Sequence, residues 1–174
     1  MITSWKKIKV EPYRAGFRKL LKKTFQLPDG RIVDFDIKDE GPAVCVLALT
    51  KDNKVVLARQ FRPGPEKILL EMPGGVVEKG EEPEQAMRRE LFEETGYAGE
   101  LKFVGTSFDC AYSTMVRYNF VATDCRKIQE QKLEANEFAD VVEMSLEDFR
   151  KHLRTGDLTD VESGYLGLDF LGRL

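Results

Sequence analysis

Glu90, Glu93 and Glu94 stand at i, i+3 and i+4, a spacing that on a helix puts three carboxylates on one face. Like charges so placed weaken an isolated helix by roughly 0.2–0.5 kcal/mol per pair. Many acidic helix faces do nothing more than meet solvent. Converging carboxylate oxygens are also hard ligands suited to Mg²⁺ or Mn²⁺. Two neighbours favour the second use. The Pro73-Gly74-Gly75 turn ahead of the helix lets backbone approach the same space, so the Gly74 carbonyl can add a ligand. Arg89 lies on an adjacent face, where it can orient or neutralise part of the cluster.

These residues need rigid elements to hold them. Pro83 to Thr95 has the grammar of a helix, with Pro in its first turn, acids early and Gly96 as a stop. Ala86, Met87 and Leu91 supply its buried side. Ala43–Leu49 and Val55–Ala58 read as strands joined through Lys51–Lys54, and Ile68–Glu71 as a short strand entering the Pro73-Gly74-Gly75 turn. Phe103–Phe108, Met115–Ala122 and Ala139–Met144 are further strands. Ser145 caps a helix over Leu146–Leu153, and another short helix starts near Thr159. Ahead of all this, residues 1–40 form a strand-rich lead-in. Its hairpin runs from Phe17–Leu27 through Pro28-Asp29-Gly30 to Ile32–Ile37. Strands mixed with occasional helices predict an α+β or α/β sandwich.

Gly75, Glu81, Arg89-Glu90-Leu91, Glu93-Glu94, Gly96 and Tyr97 match the Nudix box, G-x5-E-x7-R-E-U-x-E-E-x-G-U, at all nine defined positions. That density of fixed positions separates this signal from a lone glycine motif. The resemblance implies the Nudix fold, an α/β/α sandwich around a mixed sheet, with the box as a loop-helix-loop. It also implies roles: Glu90 and Glu94 as principal metal ligands, Glu93 as a further ligand or holder of water, and a Glu81–Arg89 salt bridge supporting loop and helix.

The flanks narrow the resemblance. Ala58-Arg59-Gln60-Phe61-Arg62-Pro63 and Leu70-Glu71-Met72-Pro73-Gly74-Gly75 are similar to the lead of the ADP-ribose and nucleoside-diphosphate-sugar pyrophosphatases. In that group Arg62 would reach substrate phosphates or the terminal sugar, with Arg59 assisting. Glu71 would aid the metal shell or bond a substrate hydroxyl. An acidic loop before the last strand would deliver the general base, which aligns best with Glu137 and second with Glu134. One segment departs from the group: Cys110 to Met115 lacks the expected Ser-Pro-Gly type sequence, and Tyr112 stands near the place of its proline. Tyr112 offers a face for stacking on a base. The implied reaction is Mg²⁺-dependent hydrolysis of ADP-ribose or a related sugar nucleotide. GDP-mannose, NADH and dinucleoside polyphosphates remain open as substrates, as does an ADP-ribose-sensing module without catalysis. Such modules have eroded boxes, unlike this one.

Composition sets the outer bounds. A chain of 174 residues suits a Nudix domain over residues 41–174 behind the lead-in. With 27 Lys+Arg against 30 Asp+Glu, nothing presents a basic footprint for nucleic acid or an anionic membrane. No run approaches the ~20 apolar residues of a membrane span. Between Glu78 and Glu100 glutamates far outnumber Lys79, Arg88 and Arg89, so a polyanionic substrate there requires cations. Cys45, Cys110 and Cys125 have no zinc spacing; they predict packed thiols in a reducing cytoplasm. The resembling group commonly forms homodimers through its N-terminal strands. Trp5, Tyr13, Phe17 and Phe25 give this lead-in the apolar surface to do so.

Overall fold

The computed structural model describes residues 5–15, 18–133, 135 and 137–174. Phe17, Glu134 and the side chain of Tyr13 lie outside the described residues. The chain divides into two compact units, one of Met1–Pro42 with Phe108–Val116, the other of Ala43–Ser107 with Arg117–Leu174.

The first unit is a three-stranded antiparallel sheet of β1 (Lys6–Ala15), β2 (Arg18–Gln26) and β3 (Ile32–Lys38), in that order. The β2–β3 hairpin closes as its turn residues predict. Gly30 N–H donates to Leu27 O at 2.9 Å, with Gly30 at φ 89°. β1 is an addition to the expected elements. Its Lys6, Lys7, Lys9 and Glu11 are exposed, Ile8 and Val10 are more than 40% exposed, and Pro12 interrupts donation. Over residues 6–12 it is a charged edge strand with no buried face among the described side chains, and hence no readable alternation. Residues 108–116 join this unit through Lys38 N–H to Tyr112 O (2.8 Å) and Thr114 N–H to Lys38 O (3.0 Å). Tyr112 stacks on Phe35, with ring centroids 6.4 Å apart, and Trp5 packs against Phe25 and Phe35.

The second unit is built on a seven-stranded mixed sheet. Its main path is β10 (Ala139–Ser145), β5 (Lys54–Arg62), β4 (Ala43–Thr50), β9 (Val116–Lys127) and β8 (Tyr97–Phe108). β4 runs parallel to β9 and antiparallel to β5. The β4–β5 pairing covers Ala48–Leu49; beyond it the strands take different partners. β6 (Lys67–Glu71) pairs with the end of β5, and β7 (Gly74–Val76) with the start of β4. The Pro73-Gly74-Gly75 segment, expected as a turn, therefore enters the sheet. Two glycines hide strand character in sequence because they have no side chains to alternate.

β4 is buried along both faces, which sorts its side chains into two layers. Val44, Val46 and Ala48 pack with Ala86, Met87 and Leu91 of α1 (Pro83–Thr95). Cys45, Leu47 and Leu49 pack with Phe149 and Leu153 of α2 (Leu146–Thr155) and Leu168 of α3 (Val161–Phe170). This is the expected α/β/α arrangement. Ser145 caps α2 by accepting from Asp148 N–H at 3.1 Å. β8 starts at Tyr97, directly after the Gly96 cap and ahead of the expected Phe103. Its early residues Ala98, Gly99 and Glu100 lack strand propensity and are extended by pairing alone.

Cys45 and Cys125 are buried, and burial pushes the Cys125 thiol up to about 12. Cys110 is exposed, which corrects its expected packing role: it lies in the irregular stretch after β8, outside both core layers. No described helix is long and apolar enough to cross a membrane.

Candidate active site

Both ends of α1 are fixed locally. Glu82 N–H donates to Gln85 Oε1 at 3.2 Å, Pro83 fills the first turn, and Gly96 takes the left-handed conformation (φ 74°) that stops the helix. Between those ends Arg89 is the hub. Its Nε and Nη2 each lie 3.0 Å from a Glu81 carboxylate oxygen, and Nη2 also donates to Val76 O at 3.1 Å. Nη1 reaches Glu90 at 2.8 Å and Glu93 at 3.3 Å. The Arg89 fork holds the Glu81 carboxyl below its ordinary range, and the same bond raises Arg89 itself. Glu81 further accepts from Glu78 N–H at 3.1 Å, so one ion pair ties the loop to the helix.

Glu90 and Glu94 stand in drier surroundings. Burial raises the Glu90 carboxyl, and the charges of Glu93 and Glu137 add to the rise against the pull of Arg89. Burial pushes Glu94 up to about 8, with Glu90 and Glu137 contributing, although Gly74 N–H donates to Glu94 Oε2 at 2.9 Å. Gly74 thus meets the cluster through its N–H. Exposed Glu137, ahead of β10, lies within electrostatic reach of both carboxylates. The structure therefore brings Glu90, Glu93, Glu94, Glu137, Glu81, Arg89 and Gly74 together.

The substrate-side residues divide. Arg62, whose charge is felt at Glu94, donates Nε to Glu71 Oε2 at 2.5 Å. Glu71, expected at the metal shell or at a substrate hydroxyl, is held here by protein groups. It is 1% exposed, and its other oxygen accepts from Thr159 N–H (3.2 Å) and Oγ (2.5 Å). Its two oxygens are engaged by Arg62 on one side and Thr159 on the other. Arg59 pairs with Asp140 at 2.5 Å and lines a cleft of about 290 Å³ with Leu133, Glu137 and Phe138. Tyr112 belongs to the other unit. Sequence reasoning passed over Thr159, whose position before α3 reads only as a helix start. The Val76 carbonyl carries no side-chain signal at all.

The donor set fits a divalent cation. Four carboxylates act on one another electrostatically, and two of them are raised chiefly by burial, an arrangement that a hard cation relieves. Among the described residues no group of three or more His, Cys, Asp or Glu side chains is arranged to hold a metal ion by itself. Mg²⁺ needs no such group, since it keeps several waters and takes few carboxylates.

A profile of the NUDIX domain matches residues 39–161, well over half the chain, and the chain belongs to the Nudix family. It is 34% identical over 143 residues to the ADP-ribose pyrophosphatase of Bacillus subtilis (strain 168), covering 80% of this chain and 77% of that one. It is 33% identical over 159 residues to the methanol dehydrogenase activator of Bacillus methanolicus, covering 89% and 86%. A solved structure of an ADP compounds hydrolase superposes with a TM-score of 0.79 at 21% identity, over 100% of this chain and 99% of that one. That last likeness establishes the fold.

Proposed function

We propose that this chain is a Mg²⁺-dependent pyrophosphohydrolase that splits ADP-ribose or a related nucleoside diphosphate sugar into a nucleoside monophosphate and a sugar phosphate. The observation that carries the reading is the desolvated pair Glu90 and Glu94, with Glu137 in electrostatic reach of both. Glu90 and Glu94 would hold the cation, with Glu93 and the Gly74 carbonyl completing the protein's share. Mg²⁺, or Mn²⁺ in its place, neutralises phosphate charge and acidifies water.

This chain's own groups do the rest. Arg62 binds a substrate phosphate with its terminal nitrogens, and Arg59 stands by at the cleft edge. Glu81 and Arg89 keep the box loop against α1. Glu137 accepts the proton of a water that attacks one phosphorus of the bridge; the P–O bond to the bridging oxygen breaks, and the second phosphate leaves with that oxygen. Tyr112, beside Phe35, offers an aromatic face to a base. The three-stranded unit provides a homodimer contact, checked by light scattering. The free thiols suit a reducing cytoplasm.

The test is a panel of ADP-ribose, GDP-mannose and other sugar nucleotides, NADH and dinucleoside polyphosphates, each with Mg²⁺ or with chelator, and products separated by chromatography. AMP and ribose 5-phosphate from ADP-ribose, absent with chelator, are the expected products. Preference for another member moves the substrate and keeps the reaction. Tight ADP-ribose binding with no cleavage of anything makes the chain a sensor.

Glu137→Gln is expected to lower kcat by about a hundredfold, the range of a lost general base. A kcat within about threefold of wild type would remove Glu137 from the base role.

A further inference from the structure

The wall beside the box joins Arg62 and Glu71 of the flanking motif to Thr159, which belongs to neither the box nor its flank. Glu71 is 1% exposed and receives three donors: Arg62 Nε at 2.5 Å on one oxygen, and Thr159 Oγ at 2.5 Å and N–H at 3.2 Å on the other. A buried carboxylate so held has one orientation. Arg62 spends its inner nitrogen on Glu71. Among the described residues neither terminal nitrogen has a partner, although the side chain is 40% exposed and its charge reaches Glu94. A guanidinium fixed at Nε with both Nη free is a fork preset for two phosphate oxygens.

Thr159 has little freedom of its own. On one side Leu158 is 5% exposed in the core with Phe149 and Leu153. On the other, Asp160 takes φ 58°, in the left-handed region, and is pinned by Arg117 at 2.7 Å. The Thr159 hydroxyl has a single proton. Its nearer acceptor is Glu71 at 2.5 Å, against Asp160 at 3.4 Å.

We propose that Thr159 is a positioning residue of the active site, fixing the Glu71 carboxylate and through it the Arg62 fork that takes a substrate phosphate. The inference rests on the reading of Arg62 as a phosphate ligand. It makes the turn before α3 part of the substrate site, and it explains why a flexible arginine arrives already aimed.

The probe is ADP, which carries the diphosphate and does not depend on turnover. Its dissociation constant with Mg²⁺ is measured by calorimetry for Thr159→Val and Thr159→Ser, each alone and combined with Arg62→Lys. Thr159→Val should weaken ADP roughly tenfold, about the worth of one charge-assisted hydrogen bond, and Thr159→Ser should restore it. With Arg62→Lys present, Thr159→Val should add less than twofold. In turnover the loss should fall on KM, with kcat nearly unchanged. If Thr159→Val melts below the assay temperature, Thr159→Ala takes its place. Unchanged affinity in Thr159→Val, or the same loss with and without Arg62→Lys, overturns the proposal while Arg62 stands. Unchanged affinity in Arg62→Lys alone overturns the phosphate role of Arg62, and the proposal with it.

Discussion

Replacing Glu94 by Gln is expected to lower kcat by roughly three orders of magnitude and to raise the melting temperature of the chelated protein. Both effects follow from one fact: Glu94 is desolvated beside Glu90 and Glu137, and its carboxyl is pushed up to about 8 from an ordinary 4.5. A raised acid holds its proton more tightly when folded than when unfolded. Stability is therefore greatest below pH 4.5 for this group and is lost as pH rises through 8. At pH 8 the ionised carboxylate costs on the order of 4–5 kcal/mol, since each unit of pKa is worth about 1.4. Gln keeps an oxygen for the Gly74 N–H and carries no charge. It should raise the chelated melting temperature by roughly 8–20 °C at pH 8 and by about 3 °C or less at pH 5. Mg²⁺ should reverse the order, stabilising the wild type through binding and leaving the variant unmoved. A variant that melts lower than wild type at pH 8, or retains turnover, would defeat this account of Glu94.

The parts of this molecule legible in its sequence are those whose reasons are local. α1 falls on the expected Pro83–Thr95 because its signals, a first-turn proline and a terminal glycine, are adjacent in the chain. The i, i+3, i+4 carboxylates share a face by helix geometry alone. What was not legible depends on partners distant in sequence. β7 is a strand only because β4 pairs with Gly74-Gly75 from thirty residues away. β1 exists only as an edge added to β2. Glu71 reads as a polar strand-end residue, and its inward orientation comes from Thr159, 88 positions later. Arg89 is intermediate. Its box position announced the bond to Glu81, whereas its bond to the Val76 carbonyl needed the β7 backbone in place.

That β7 backbone sets two neighbouring glycines under different constraints, and the same substitution at each should fail differently. A Cβ on Gly74 would fall on the Val44 carbonyl oxygen, closer than 3.0 Å, with Cys45 Cα at 3.0 Å. Both are backbone of buried β4, which cannot yield without parting the sheet. Gly74→Ala should therefore destabilise the fold by about 3 kcal/mol, seen as a melting temperature lower by roughly 6–12 °C. The three atoms nearest a Cβ on Gly75 would be the end of the Glu90 side chain, its Oε1, Cδ and Oε2 all closer than 3.0 Å. That carboxylate can swing aside at little cost to the fold, but it then leaves its place against Gly75. Gly75→Ala should keep a melting temperature within about 2 °C of wild type and lose roughly a hundredfold in kcat. The magnesium concentration needed for half-maximal rate should rise with it, because Glu90 is one of the proposed ligands. Melting curves and a Mg²⁺ titration of the two variants decide the matter. If Gly75→Ala loses stability and keeps its magnesium dependence, Glu90 is held by packing and does not face the cation. If it loses magnesium affinity alone, the glycine is there to leave room for a metal ligand.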